Sequence, residues 1–289
     1  MTFASIKSWP NLEHPVLVLG LEGWVDAGYA GATAVTALLE STRHEVVATF
    51  DADALLDQRS RRPVLRISHG VHGALTWPEL RLLAATSTGG RSLLVLAGPE
   101  PDLRWREWSQ EVVALGLRLG VELVVGLGAF PAPVPHTRPV RVAATASSEE
   151  LAGRVGFLPA TLEVPAGAQA VLEVAFGQAG VPSIGVWARV PHYAAGTPYP
   201  EASAALLDQL ARLTGISIDT EALHKAGRKA RDQIQGLIDA SDEHSAMVRQ
   251  LEEQQDLEVG PLSTTEFTNL PTGDEIAAEL ERFLRGEGR

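Results

Sequence analysis

Short apolar runs that end in glycine and hand over to helical patterns constrain this chain most. Pro15-Val16-Leu17-Val18-Leu19-Gly20 is continuous and apolar, the signature of a strand buried on both faces. A polar, Gly-rich turn follows, Gly23-Trp24-Val25-Asp26-Ala27-Gly28. Ala30, Ala34, Val35, Leu38 and Leu39 then share one helical face. The unit repeats. Leu93 to Gly98 reads as a buried strand. Trp105, Trp108, Val112, Leu115 and Leu119 follow at helical spacing, with Gly120 suited to the helix end.

Further strands are expected over Glu45–Phe50, Leu123–Phe130, Arg141–Ala146 and Pro182–Val190. Helices are expected over Ala168–Phe176 and Pro200–Leu213, the latter with Pro at its first turn and Gly215 beyond its end. Pro63–Ile67 and Leu80–Thr86 read as two strands around the turn-rich Ser68-His69-Gly70-Val71-His72-Gly73, a β-hairpin excursion. The expected fold is therefore α/β, a three-layer sandwich with a mixed, mainly parallel sheet, a β-hairpin excursion and a C-terminal helical extension. Loops after strand carboxyl ends would meet on one rim, where such sheets hold their pockets.

The pattern changes after Gly215. Residues 216–289 carry 16 acidic and 8 basic residues and no strand signal. Leu223, Ala226, Ala230, Ile234, Leu237 and Ile238 form a helical stripe. Met247, Val248 and Leu251 suggest a second helix, and Thr272-Gly273-Asp274-Glu275 opens a third with a capping box. The expected division is an α/β core over residues 1–215 and an acidic helical extension over 216–289. That extension is expected to fold back as a lid over the rim, because its apolar stripe is costly in water.

Composition sets the outer limits. The 289 residues carry a net charge of −12, which disfavours a broad nucleic-acid surface, since phosphate contacts need clustered cations. There is no cysteine, hence no disulfide, thiolate nucleophile or Cys-ligated zinc. No apolar run reaches the ~18 residues needed to span a bilayer, and residues 1–15 lack a signal-peptide core. A cytoplasmic protein with no membrane partner, metal or cofactor is expected. P-loop, dinucleotide-binding, nucleophile-elbow and His-Glu-x-x-His motifs are absent. His69 and His72 read as exposed turn residues without a third metal ligand.

Three polar loops remain as candidates. Asp26 could act as a general base or cap the following helix, and Trp24 beside it could be core. In Gly98-Pro99-Glu100-Pro101-Asp102-Leu103-Arg104-Trp105-Arg106, two prolines bracket Glu100. Arg104 and Arg106 could pair with Glu100 or Asp102, or offer a fork to a carboxylate or phosphate. Pro135-His136-Thr137-Arg138-Pro139 offers acid/base and anion-binding groups, or a braced turn. The candidate pocket is thus Trp24, Asp26, Glu100, Arg104, His136, Thr137 and Arg138, with a small anionic ligand as one occupant.

These motifs, in order, together with Asp57-Gln58-x-x-x-Arg62-Pro63 and Thr76-Trp77-Pro78, resemble the proteasome assembly chaperone family of the second type, in its actinobacterial branch. The resemblance covers about residues 15–200. It implies a three-layer core similar to purine nucleoside phosphorylases and peptidyl-tRNA hydrolases. It also implies a role in protein assembly, as eukaryotic and archaeal relatives assist proteasome rings, and a homo-oligomer, preferentially a trimer. The hairpin around residues 63–87 is the expected contact, because its strands would otherwise leave an edge needing cover. The family supplies no catalytic residue. Two functions stay open on the residues alone: a protein-interaction or assembly factor, and a small-molecule enzyme or binder with its pocket at the rim.

Overall fold

The computed structural model describes residues 2–23, 25–87, 89–155 and 161–257. In chain order come β1 (Ala4–Ile6), β2 (Val16–Glu22), a 3-10 turn (Ala27–Tyr29), α1 (Ala30–Glu40), β3 (Arg43–Phe50) and α2 (Ala52–Leu55). Then follow β4 (Val64–Ser68), β5 (Val71–Thr76), β6 (Arg81–Thr86), β7 (Ser92–Pro99), α3 (Trp105–Arg118), β8 (Leu123–Ala132) and β9 (Val142–Ala146). The chain continues with α4 (Glu149–Val155), α5 (Ala168–Gln178), β10 (Ser183–Pro191), α6 (Pro200–Thr214), α7 (Glu221–Ile238) and α8 (Asp242–Leu257). The expected capping box at Thr272–Glu275 lies outside the described residues.

Eight strands form one mixed sheet in the order β1-β3-β6-β7-β2-β8-β10-β9, with helices on both faces. β2 is parallel to both neighbours: Val16 pairs with Leu93 of β7 and with Leu123 of β8. The β1–β3, β3–β6 and β6–β7 pairs are antiparallel. Burial follows this placement. Val16 to Leu19 of β2 and Leu93 to Leu96 of β7 are essentially without solvent contact, as expected of strands covered on both faces.

Two compact units divide the chain. The first comprises Met1–Trp24, Val35–Gly126 and Ala166–Ile184; the second comprises Val25–Ala34, Leu127–Pro165 and Gly185–Arg289. In the first, Leu17, Leu19, Leu94, Leu96, Val112, Leu172 and Phe176 belong to one core. The second holds a smaller cluster of Phe130, Ala132, Val134 and Ala143. Leu206, Leu207 and Leu210 of α6 are also fully buried there. α7 packs on α6, where His224 reaches Glu201 at 3.1 Å and Asp208 at 3.3 Å. Among the described residues no helix is long and apolar enough to cross a membrane.

The hairpin excursion is tighter than the sequence suggests. β4 pairs with β5, Ser68 opposite Val71, while Leu80–Thr86 supplies β6 of the main sheet. The turn is two residues long, His69 (φ 51°) and Gly70 (φ 79°). Positive φ at both positions is what a type I′ turn needs, and its twist matches that of the strands it joins. Every residue of β4 and β5 is exposed.

Candidate functional site

Trp24 lies outside the described residues. Two residues on, Asp26 serves the start of α1. Its Oδ1 accepts from the Gly31 N–H at 2.7 Å and its Oδ2 from the Ala32 N–H at 3.1 Å. These are donors that the first turn of a helix leaves without partners. The reach is longer than that of an ordinary N-cap because the 3-10 turn, with Gly28 and Tyr29 both at positive φ, lies between. Asp26 also forms a parallel bridge with Ala129 of β8.

Glu100 performs the same service at a distance. It is 9% exposed, and its Oε2 accepts from the Ala168 N–H at 2.9 Å. Gly167, at the N-cap of α5, has no side chain to do so. A carboxylate at that end also suits the helix dipole. A methyl group at Gly23 would lie 2.9 Å from the Glu100 carboxyl, so the first two predicted loops touch there. Arg104 starts α3 in the left-handed region and forks Glu107, with contacts of 3.0 and 2.6 Å. Its guanidinium also lies 4.9 Å from the Phe3 ring centre. Asp102 accepts from the Asp57 N–H at 2.7 Å and faces Arg61 at 3.3 Å. In these two loops Asp26, Glu100 and Asp102 bond the chain's own backbone, and Arg104 bonds a side chain of its own helix.

The Pro135–Pro139 loop is different, because its side chains reach the C-terminal helices. His136 is fully buried. The Tyr193 hydroxyl accepts from the His136 backbone N–H at 2.9 Å and meets His136 Nδ1 at 2.8 Å. On the other side, His136 Nε2 meets Gln235 Oε1 of α7 at 3.0 Å. Gln235 is oriented by its own amide N–H, which donates to Asp239 at 2.7 Å. That fixes an acceptor toward the ring, so Nε2 carries the proton and Nδ1 accepts from Tyr193. The Thr137 hydroxyl donates to Glu252 of α8. Arg138 forks Asp256 at 2.9 and 2.7 Å and reaches Glu252 at 3.2 Å. Arg141 donates to the Gln255 carbonyl at 3.1 Å.

The charges follow these contacts. The hydrogen bond from Arg138 holds the Asp256 carboxyl below the usual range, and the same bond raises Arg138 above its own. Burial pushes the Tyr193 phenol up, and the Tyr199 phenol to about 12. Burial lowers His136, an effect that the Gln235 hydrogen bond and the Glu252 and Asp239 charges oppose and the Arg231 charge reinforces. Between the depressed native value and the ordinary one near 6.5, the unfolded chain binds the extra proton. The contribution of His136 is therefore complete above pH ~6.5 and is lost as the pH falls. Amide exchange in α7, corrected for intrinsic rates, should be faster at pH 5.5 than at pH 7.5. The His136→Gln chain should show a smaller change, since His224 of α7 still faces Glu201 and Asp208. An equal change in both would assign it to other groups.

Sequence reasoning found one partner of the His136, Thr137 and Arg138 contacts and missed the other, and it missed Arg141 and Gln255 together. Tyr193 and Gln235 lie 57 and 99 residues from His136, and no periodicity links them. Glu252 and Asp256 carry a weak signal, acids four residues apart in a helical tail. A cleft of about 620 Å³, lined by Lys7, Asp51, Asp53, Trp77 and Glu79 among others, includes none of the predicted site residues.

Comparison with known proteins gives the family. The model of the PAC2 family matches residues 20–238. The fold and sequence are similar to a Mycobacterium tuberculosis protein of unknown function (37% identity over 88% of this chain and 91% of that one, TM-score 0.82). A PAC2 family protein of Streptomyces avermitilis is 38% identical over 81% and 99%, with a TM-score of 0.73. A Mycobacterium tuberculosis proteasome-assembly chaperone homologue is 34% identical over 81% and 99%, with a TM-score of 0.75. No curated protein matches the chain.

Proposed function

The chain belongs to the PAC2 family, and from that membership we propose that it is a protein-interaction factor that acts in assembly. Its similarity to a proteasome-assembly chaperone homologue supports this reading. The observation that carries it is the hairpin. Val64, Leu65, Ile67, Val71 and Leu75 are 41–70% exposed on two strands that join no larger sheet. An isolated two-stranded hairpin is marginal in water, and clustered exposed apolar side chains mark an interaction surface.

The first occupant of that surface is a second copy of the chain, in a homo-oligomer and preferentially a trimer. Charge favours this. Residues 58–78 contain four arginines, Arg59, Arg61, Arg62 and Arg66, and no acid, on a chain of net charge −12. The hairpin and the segment that leads into it are thus cationic and apolar on an acidic chain, with Arg61 paired to Asp102. Light scattering on the full chain should give three times its 30.8 kDa. Leu65→Ser with Ile67→Ser should reduce this to one chain while the circular dichroism of the core is kept. A strict monomer for the unaltered chain at micromolar concentration would defeat the self-association. An oligomer that survives the double substitution would remove the hairpin from it.

A further inference from the structure

We propose that Thr137, Arg138 and Arg141 form a recognition site for an acidic helix from a partner protein, and that α8 is an internal stand-in occupying it. The contacts describe such a ligand. Arg138 takes two carboxylates one helical turn apart, forking Asp256 and touching Glu252, which Thr137 also meets. Arg141 reads a main-chain oxygen of α8, that of Gln255. The guanidinium fork matches a carboxylate in plane. A phosphate ester would satisfy the fork but offers no main-chain carbonyl and no second acid at i−4. The features read are those of a peptide helix.

α8 is a loose occupant. Val248, Leu251 and Gln255 are its buried residues, so two apolar side chains are fully buried, with Met247 half-buried beside them. The Gln255 side chain is 6% exposed, and its Oε1 has no hydrogen-bond partner among the described residues. It borders a small cavity of about 10 Å³, also lined by Arg138, Arg141, Arg189 and Tyr199. A buried acceptor left open beside three arginines marks an imperfect fit. An element with few buried contacts opens locally at low cost. A partner helix that fills the gap with the same two acids would displace α8.

This inference rests on the reading of the chain as a protein-interaction factor and names the partner chemistry of one site. A fluorescein-labelled peptide of residues 242–257 tests it by anisotropy against full chains. Glu252→Gln with Asp256→Asn releases the internal α8, and this chain should bind the peptide at least about tenfold more tightly than the unaltered one. Adding Arg138→Gln should abolish the gain. Arg138→Lys, which keeps the charge without the fork, should lose most of it and serves if the Gln variant fails to fold. Equal affinity for all chains would overturn the site. Equally tight binding of a peptide with both acids neutralised, or its displacement by millimolar inorganic phosphate at constant ionic strength, would overturn the helix specificity. Because oligomer mass is measured separately, failure of the peptide leaves the hairpin reading standing, and the reverse holds.

Discussion

At pH 8 the Glu173→Gln chain should unfold at a higher urea concentration than the unaltered protein, and at pH 4.5 the two should nearly coincide. Glu173 lies on α5 and is 9% exposed. Its Oε1 accepts from the Gln169 amide at 2.9 Å and faces Gly126 of β8, where an added methyl would sit 2.2 Å from that oxygen. Glycine at 126 is thus what makes room for the carboxyl. Burial pushes the group up to about 7 from 4.5, against a smaller opposing effect of the Gln169 bond. The native chain therefore keeps its proton up to about pH 7, while the unfolded chain releases it near pH 4.5. Between these values the native state binds more protons, so stability falls as the pH rises and levels off above the native value. The loss is on the order of 3 kcal/mol at pH 8. Gln keeps the shape and the acceptor and cannot ionise, so its stability curve should lack this slope. Urea midpoints from pH 4.5 to 8 check it, other groups cancelling between the two chains. Parallel curves would mean that Glu173 does not titrate in this range.

Glu173 also shows what a sequence can hide. Its segment reads correctly as a helix, because Ala168, Leu172 and Phe176 share one face. That face also carries a carboxyl into the first unit, and nothing local announces it. The legible parts of the fold were those set by local pattern. Val16–Leu19 and Leu93–Leu96 are buried strands because continuous apolar runs leave no polar face to expose. Gly215, left-handed at φ 70°, ends α6 as its position after Leu213 suggests. The hairpin was harder. β5 reads Val-His-Gly-Ala-Leu-Thr, and its fully exposed pattern gives no alternation of inner and outer faces. Leu80–Thr86 is more apolar and drew the pairing to itself. α2 was missed because it is four residues long and rests on Asp51, whose Oδ1 accepts from the Asp53 and Ala54 N–H groups. Of the candidate site, the loops were legible from their Pro, Gly and charged residues. Their partners were not: Ala168 for Glu100 and Asp256 for Arg138 lie 68 and 118 residues away.

Gly98→Ala should cost about 3 kcal/mol or more of stability, against about 1 kcal/mol for Gly120→Ala. Both glycines adopt positive φ, 122° and 76°. At Gly120, past the end of α3, an added methyl meets nothing within 4 Å, so its cost is the backbone conformation alone. At Gly98 the methyl would lie 2.2 Å from the Glu79 carbonyl oxygen and 3.0 Å from Leu80 Cα. Those are backbone atoms at the start of β6, whose pairing with β7 continues directly as Arg81 opposite Ala97. Neither strand can yield without disturbing the other. Strain at a φ that side chains rarely adopt adds to an overlap that no rotamer can relieve. The consequence reaches the next loop, since Gly98 is two residues before Glu100, whose carboxylate caps α5. The Gly98→Ala chain should therefore show a lower urea midpoint and faster exchange at Ala168. The Gly120→Ala chain should show a smaller fall in midpoint and unchanged exchange there. Equal losses in the two chains would mean that the Glu79 backbone moves aside freely and that the contact does not hold the strand pair.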